Sequence, residues 1–417
     1  MYNKYKNVMM IITNDTKHKE AIFIRSLLLK NGVNVIHLDA SIRGKDNSSA
    51  DITPNMIARA VGMTMHDVRS LNHEGKSLDL MTKGAINCAL DFNKKYGIAG
   101  IIGLGGAMGT ALATAIMRSF KHGLPKLMIS TLASGQTRPY VGSYDIMMVN
   151  PICDINGLNS VNKLVYINSV IAIAAQAKAY QPPLRPTRPL ILITTLSTTD
   201  PCTIYVRRAL ESYNFEVLVF HTLGSGGLAM ETIIRERTRE IAVVLDLSLV
   251  EITGFLKGAS YAAGPDRGKV ALQLQVPTIF VPGNLDFFVS GPIEEAKIIF
   301  PARRYHAHNM SLTAVRTNKN DLKQVAKHMA QLTSYAKAPV AFYIPLQGFS
   351  EHDSVHGHLH DSSLPAVFAS YLKAASCDNL DFREFDLHIN DQRFAEILVT
   401  KVLSYSREWK VKKSLKQ

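Results

Sequence analysis

Apolar and polar positions alternate with two different periods along the first 180 residues. Short apolar runs rich in β-branched residues predict buried strands at residues 7–13, 34–38, 98–103, 126–130 and 145–149. Between them, apolar residues recur every three or four positions, which predicts helices over 17–30, 81–95, 107–120 and 157–179. A short helix is also predicted after Thr53, which would cap it, with Pro54 as its first residue. This alternation is typical of a parallel sheet covered by helices.

The same pattern starts again after a proline-rich segment. Residues 180–189 read YQPPLRPTRP, and their four prolines interrupt both helix and sheet. Strands are then predicted at 190–195, 216–221, 241–247, 278–281, 312–315, 340–345 and 385–389, and the chain ends in a helix from about Asp391. We therefore predict an α/β protein of two Rossmann-like domains, 1–180 and 190–417, joined by a linker at 181–189. Each domain would hold a mainly parallel sheet flanked by helices.

Length and composition narrow the class of protein. A chain of 417 residues with 47% hydrophobic residues can bury a large core. It has no apolar run of about 18 residues and no signal-peptide pattern at its start, so a cytoplasmic protein without a membrane partner is expected. The four cysteines, Cys88, Cys153, Cys202 and Cys377, are widely separated, and we interpret them as reduced core residues.

Charge is uneven along the chain, whose formal net charge is +13. Residues 1–180 hold 20 Lys and Arg against 11 Asp and Glu, and residues 401–417 hold six basic residues against one acidic residue. Aromatic residues are not interleaved with the basic ones, and no nucleic-acid recognition motif is present. Nucleic acid is therefore not an expected partner, and the basic tail is interpreted as a solvated helix end.

Two glycine-rich turns follow predicted strands. The first holds Gly103, Gly105, Gly106, Gly109 and Thr110; the second holds Gly224, Ser225, Gly226 and Gly227. Without a Cβ, main-chain N–H groups at a strand-to-helix corner can approach phosphate oxygens, and the helix N-terminus adds a partial positive charge. Neither turn has strict GxGxxG spacing or a Walker lysine, so a purely structural tight turn is the alternative. Their similarity hints at an internal duplication.

Other candidate groups are less specific. The turn from Ser130 to Gly135, which includes Ser134, could contact phosphate or ribose, or could be a capped turn. Four carboxylates near strand ends could hold Mg²⁺ or act as caps: Asp145, Asp154, Asp246 and Asp286.

The segment 352–361 concentrates histidines and aspartates. In an extended conformation His356, His358 and His360 would share one face, which a transition metal could use. Gly357 favours instead a surface loop with solvated histidines. No GxSxG elbow is present to position a serine nucleophile.

Several blocks together resemble one known family, the ATP-binding domain family named after a tomato mosaic virus resistance protein. The blocks are GLGGAMGTAL at 103–112, PKLMISTLASG at 125–135, PYVG at 139–142, DI at 145–146, DINGLN at 154–159, HTLGSGGLAME at 221–231, AGPDR at 263–267, LD at 285–286, HN at 308–309 through RT at 316–317, PLQGFS at 345–350 with Asp353, and HIND at 388–391. The resemblance covers most of the chain between residues 80 and 400.

The resemblance implies two Rossmann-like subdomains, ATP binding and a homodimer, without a settled reaction. It makes the two glycine turns the phosphate contacts, with Ser134, Gly135, Asp266 and Arg267 as neighbours in the site. The chain departs from the family after Leu285-Asp286, where residues 287–290 read FFVS. The histidines of 352–360 are not part of the family pattern either.

Three functions remain open from the sequence. The first is an ATP-binding protein, with Mg²⁺, that acts as an ATP-dependent enzyme on an unknown small metabolite. The second is an adaptor or inhibitor of another protein that uses the nucleotide as a stabilising ligand. The third is a hydrolase or transferase for a phosphorylated or carboxylated metabolite, with Ser350 or Asp353 taking part.

Overall fold

Two units make up the chain, Met1–Leu184 and Arg185–Gln417, in the computed structural model, which describes residues 6–43, 48–182, 186–375 and 380–414. Each unit has its own central parallel sheet and its own buried cores. The predicted fold class, two Rossmann-like domains of mainly parallel sheet flanked by helices, is confirmed.

The first unit is built on a five-stranded sheet in the order β2-β1-β3-β4-β5, in which all neighbours are parallel. Its strands are β1 (Asn7–Ile11), β2 (Asn34–Leu38), β3 (Gly100–Gly105), β4 (Lys126–Ser130) and β5 (Ile146–Val149). Its helices are α1 (Asn14–Lys30), α2 (Pro54–Arg59), α3 (Met65–Ser70), α4 (Glu74–Tyr96), α5 (Ala107–Met117), α6 (Arg138–Val141) and α7 (Ser160–Ala179).

Helices cover both faces of this sheet, because successive strand residues point to opposite sides. Met9 and Ile11 of β1 pack with residues of α2, α4 and α5. Val8 and Met10 pack on the other side with residues of α1 and α7. Helices α1 and α5 therefore lie on opposite faces. The expected cap of α2 is confirmed, since Thr53 accepts a hydrogen bond from the main-chain N–H of Met56.

The second unit has a six-stranded parallel sheet, β14-β13-β9-β8-β6-β7, and a three-stranded antiparallel sheet, β10-β12-β11. Its strands are β6 (Leu190–Thr195), β7 (Glu216–His221), β8 (Ile241–Ser248), β9 (Thr278–Gly283), β10 (Phe287–Ser290), β11 (Tyr305–Asn309), β12 (Leu312–Arg316), β13 (Val340–Pro345) and β14 (Asp381–Phe385). Its helices are α8 (Asp200–Ser212), α9 (Ser225–Arg237), α10 (Val250–Lys257), α11 (Val270–Gln273), α12 (Ile293–Ile299), α13 (Lys319–Thr333), α14 (Leu364–Ala375) and α15 (Gln392–Ser414).

Some details of the second unit differ from the prediction. Strands β10 and β11 were not predicted, because both are short and the YHAHN sequence of β11 lacks an apolar alternation. The strand predicted at 385–389 is β14, four residues earlier, where its FREF residues pair with β13. The terminal helix is confirmed as α15.

The cysteines fit the core interpretation only in part. Cys202 is buried and Cys88 and Cys153 are half-buried, all three as free thiols; Cys377 lies outside the described residues. Burial raises the pKa of the Cys202 thiol to about 12. In the described part of the chain, no helix is both long enough and apolar enough to span a bilayer.

Candidate functional site

The strand order of the first unit creates a crevice at the carboxyl end of its sheet. Strand β1 lies between β2 and β3, and the helices that follow β1 and β3 cover opposite faces. The two connections therefore diverge and leave space between them, which is where open α/β sheets bind ligands.

A cavity of about 360 Å³ occupies this crevice. Its lining residues come from the β1–α1 corner, the segment after β2, the start of α4, the β3–α5 turn and the segment after β5; they are Thr13, Asp15, Thr16, Lys17, Ala40, Ile42, Arg43, Glu74, Leu78, Gly105, Gly106, Ala107, Met108, Gly109, Leu112, Asp154 and Ile155. The first glycine turn is thus brought to the cavity together with residues about 90 positions earlier in the chain.

The first turn of α5 supplies hydrogen-bond donors to this cavity. Gly106 is the N-cap residue, and no side chain caps the helix there. The first bond within the helix runs from the N–H of Thr110 to the carbonyl of Gly106. The N–H groups of residues 107–109 therefore have no acceptor within the helix, and all three residues line the cavity.

The glycines of this turn have different reasons for being glycine. A Cβ at Gly105 would lie 2.7 Å from the Cα of Gly109, and one at Gly103 would lie 2.6 Å from the Sδ of Met128. A Cβ at Gly106 would have only the Oγ1 of Thr131 within reach, at 3.9 Å. Gly103 and Gly105 thus allow close packing of the helix and sheet, whereas Gly106 faces open space.

The β1–α1 corner contributes mainly side chains. The N–H of Asn14 donates to Asp39 Oδ1 at 3.0 Å, and the N–H of Asp15 donates to Ser41 Oγ at 3.1 Å, so these amides are already satisfied. Lys17 interrupts the helical conformation with φ −130° and ψ 29°. Lys17 and the neighbouring Thr16 both belong to the cavity lining.

The cavity lining includes both apolar and charged residues. Leu112 belongs to the buried core on the α5 side of the sheet, and Ile42 and Leu78 pack against that core. Among the charged residues, Arg43 Nη2 lies 2.6 Å from Glu74 Oε1, and both side chains are mostly exposed. The lining therefore offers a ligand both apolar and charged contacts.

Four residues predicted for this site, Gly103, Thr110, Ser134 and Gly135, lie outside the cavity lining. The hydroxyl of Thr110 is buried and lies 2.6 Å from Ser130 Oγ. Ser134 and Gly135 are exposed in the turn after β4. Contact of these predicted residues with a ligand stays a prediction.

The sequence interpretation missed three charged residues of the cavity lining, Lys17, Arg43 and Asp15. The polar run TNDTK directly after β1 was the available signal.

The second glycine turn is occupied by a side chain of the protein itself. The N–H groups of Gly224 and Gly227 donate to Glu251 Oε1 at 2.6 and 3.1 Å. A Cβ at Gly226 would overlap the carbonyl of His221. Ser225 is exposed.

Arg267, which the family resemblance places beside the phosphate contacts, is buried, and its guanidinium is bonded to carboxylates of the protein. Its Nη1 and Nη2 donate to Asp246 at 2.5 and 2.7 Å, and its Nε donates to Glu251 at 2.8 Å. Asp266 is exposed and pairs with Lys269 at 3.4 Å. Phosphate contacts from the second glycine turn and from Arg267 stay a prediction. In this conformation the N–H groups of Gly224 and Gly227 and the guanidinium of Arg267 already have acceptors within the protein.

The other strand-end carboxylates have local partners. Asp145 accepts from the ammonium group of the buried Lys126 at 2.8 Å and from the N–H of Gly123 at 2.7 Å. Of the four candidates, Asp154 is the one that lines the cavity.

Asp286 lies in a buried polar cluster of the second unit. It accepts from Ser350 Oγ at 2.7 Å, while its Oδ1 has no hydrogen-bond partner. Burial, together with the charge of Asp353, raises the pKa of Asp286 to about 7. Arg316 bonds Asp353 at 2.9 Å. Because Ser350 and Asp353 are also buried, they are not open to a substrate in this conformation.

The histidine-rich segment forms a loop with one helical turn at Glu351–Asp353, as the loop interpretation predicts. His356 and His358 are exposed. The rings of His358 and His352 lie against His306 of β11, with centroids 4.9 and 4.5 Å away. Within the described residues, no three His, Cys, Asp or Glu side chains are placed to hold a metal ion.

The fold defines an α/β protein of two Rossmann-like domains, and the first domain has a cavity at the carboxyl end of its sheet. The chain belongs to the uncharacterised protein family UPF0261, whose N-terminal domain model matches residues 6–182 and whose C-terminal domain model matches residues 188–406. The family predicted from the sequence blocks is thereby confirmed, since its relatives include both bacterial UPF0261 proteins and the tomato proteins.

Relatives of two kinds are similar to the whole chain. A UPF0261 protein of Clostridium tetani is 33% identical over 96% of this chain and 98% of its own length. The tomato mosaic virus (ToMV) susceptible protein tm-1(GCR26) of Solanum lycopersicum is 30% identical over 96% of this chain, and the ToMV resistance protein Tm-1(GCR237) is 29% identical. Both tomato proteins are longer, and the match covers 56% of each.

Proposed function

We propose that the first unit binds a nucleotide, ATP with Mg²⁺, and that its phosphates contact the first turn of α5. The observation that carries this proposal is the cavity at the β1/β3 crevice, whose lining includes both Lys17 and the residues with uncapped main-chain N–H groups at the start of α5. The sequence resemblance to the tomato virus resistance family implies ATP binding, which supports the choice of ligand. A cytoplasmic location, where ATP is abundant, belongs to the same proposal.

The main-chain donors and the lysine of the crevice suit a phosphate group, and its carboxylates suit a bound Mg²⁺. A helix N-terminus carries about half a positive charge, and the N–H groups of residues 107–109 can donate to phosphoryl oxygens. Lys17 adds a full charge. Asp15 and Asp154 line the same cavity, and carboxylates hold Mg²⁺ through one or two direct bonds or through water.

The apolar lining residues of the cavity suit a nucleobase. Ile42, Leu78 and Leu112 all line the cavity, and ligand pockets of about 300–1,000 Å³ usually combine apolar side chains with few polar groups. A cavity of about 360 Å³ lies within this range.

Titration calorimetry with ATP and Mg²⁺ tests the proposal on a pair of lysine variants. Lys17→Gln removes one positive charge from the residues that line the cavity. We expect it to bind ATP about tenfold more weakly, equivalent to about 1.4 kcal/mol. Lys19→Gln removes an exposed charge on the same helix outside the cavity lining and should bind like the wild type. Absence of binding to wild-type protein at millimolar ATP, or equal affinities of both variants, would refute the proposal.

A second candidate is an adaptor or inhibitor that uses the nucleotide as a stabilising ligand. The specific observation is that the described residues lining the cavity offer carboxylates, from Asp15, Glu74 and Asp154, but no His, Cys or Ser. Single-turnover cleavage of ATP, abolished in Lys17→Gln, would decide for the ATP-dependent enzyme.

The homodimer stays a prediction, which light scattering of the purified chain would check.

A further inference from the structure

The second glycine turn has the form of an anion site and already contains an anion. Gly224 is the N-cap residue of α9 with a left-handed φ of 86°, and as a glycine it has no side chain to cap the helix itself. Its N–H and that of Gly227 converge on one oxygen, Glu251 Oε1. This is the arrangement that a phosphate or carboxylate adopts at a helix N-terminus.

The other carboxylate oxygen is bound as firmly. Arg267 Nε donates to Glu251 Oε2 at 2.8 Å, while the rest of the guanidinium is held by Asp246. Glu251 and Arg267 are both almost completely buried, with 0% and 1% of their surface exposed. A buried charge of this kind is stable only when it is paired and hydrogen-bonded.

The absence of a side chain at position 227 is explained by this carboxylate. A Cβ at Gly227 would overlap both Glu251 Oε2 and Arg267 Nε. The glycine therefore makes room for an internal ion pair, and an external ligand is not needed to account for it.

We propose that the second turn is a carboxylate-binding site whose resident anion is this chain's own Glu251. Glu251 reaches it from the start of α10, which follows β8, whereas the turn follows β7. The internal carboxylate ties the two connections together and closes this turn to external phosphate. The inference does not depend on nucleotide binding by the first unit.

Chemical rescue of the full-length variant Glu251→Ala tests the inference. The substitution removes atoms equivalent to one acetate and leaves two N–H groups and Arg267 Nε without an acceptor. We expect a clearly lower Tm, and we expect acetate or formate to recover about half or more of the loss in a saturable manner, as ligand linkage requires. Sodium chloride at the same ionic strength should not do so.

Glu251→Gln is the matched control. Glutamine fills the space and can still accept from the glycine amides, but its NH₂ group meets the Arg267 Nε–H donor to donor. We expect an intermediate Tm that acetate does not change, and no effect of acetate on the wild type.

Three results would overturn the inference: a wild-type Tm for Glu251→Ala, equal effects of acetate and chloride on it, or equal effects of acetate on Glu251→Gln. If Glu251→Ala does not fold when purified in chloride, refolding yield with and without acetate is measured instead. A yield that acetate fails to raise above that in chloride would also overturn it.

Discussion

At the scale of single residues, two basic side chains have different roles: Arg267 is buried and paired within the protein, whereas Lys17 lines the cavity. Arg267 looks like a ligand contact in the sequence because Arg suits phosphate, yet Asp246 and Glu251 occupy its donors. Lys17 attracts no notice in the sequence because it lies in an ordinary polar helix start. Residue type alone does not distinguish the two cases, since partners distant in the chain decide whether a charge is satisfied.

Asp286 leads to a prediction on the pH dependence of stability. Its pKa of about 7 in the folded state is above the value of about 3.9 expected for an unfolded chain. The folded state therefore binds the extra proton between these values, and the free energy of unfolding should fall as pH rises from about 4 to about 7. The asparagine of Asp286→Asn cannot titrate. Over this pH range the free energy of unfolding of the wild type should therefore fall by a few kcal/mol relative to that of the variant.

Urea unfolding of both proteins at a series of pH values measures this difference. Asp266→Asn, which removes an exposed carboxyl, is the control. A wild-type minus Asp286→Asn difference that stays constant from pH 4 to pH 8 would show that Asp286 is ionised in the folded protein.

At the scale of elements, the β3–α5 corner combines close packing with an open donor surface. Glycine-rich strand-to-helix turns are recognisable in the sequence, and the strand end and helix start were predicted near their observed positions. The sequence does not reveal which glycine faces the helix and which faces the cavity. That depends on the path of the backbone through the turn.

Two alanine substitutions in this corner should affect stability to different extents. Gly105→Ala would place its Cβ 2.7 Å from the main chain of Gly109, and we expect a loss of about 2 kcal/mol in the free energy of unfolding. Gly106→Ala meets nothing closer than 3.9 Å at a φ of −76°, so stability should stay within about 0.5 kcal/mol. Denaturant unfolding of the two variants side by side checks this prediction. Equal losses in the free energy of unfolding would contradict the conclusion that Gly105 is closely packed and Gly106 faces open space.

At the scale of the whole molecule, each unit has its own sheet and cores, while the two glycine turns differ in occupancy. The turn of the first unit opens into a cavity, and the turn of the second is filled by Glu251. We therefore expect nucleotide binding to belong to the first unit alone.

Separate expression of residues 1–184 and 185–417 tests this expectation. The first fragment should bind ATP with Mg²⁺ with an affinity within about threefold of the full chain, a difference of under about 0.7 kcal/mol. The second should show no binding in the same calorimetric titration. A first fragment with native circular dichroism but no affinity would mean that the site requires residues beyond position 184.

The amino-acid sequence by itself determined the local features: the strand and helix periods, the cap at Thr53, the glycine corners and the two-domain α/β class. These follow from neighbouring residues, because backbone preference and amphipathic period act over a few positions. Only the tertiary structure decided the order of the strands, which sets β1 beside β3 and brings Lys17 and the turn of Gly105–Gly109 to one cavity. It also decided that Glu251 fills the second turn, since that contact depends on how strands distant in the chain are arranged in the sheet.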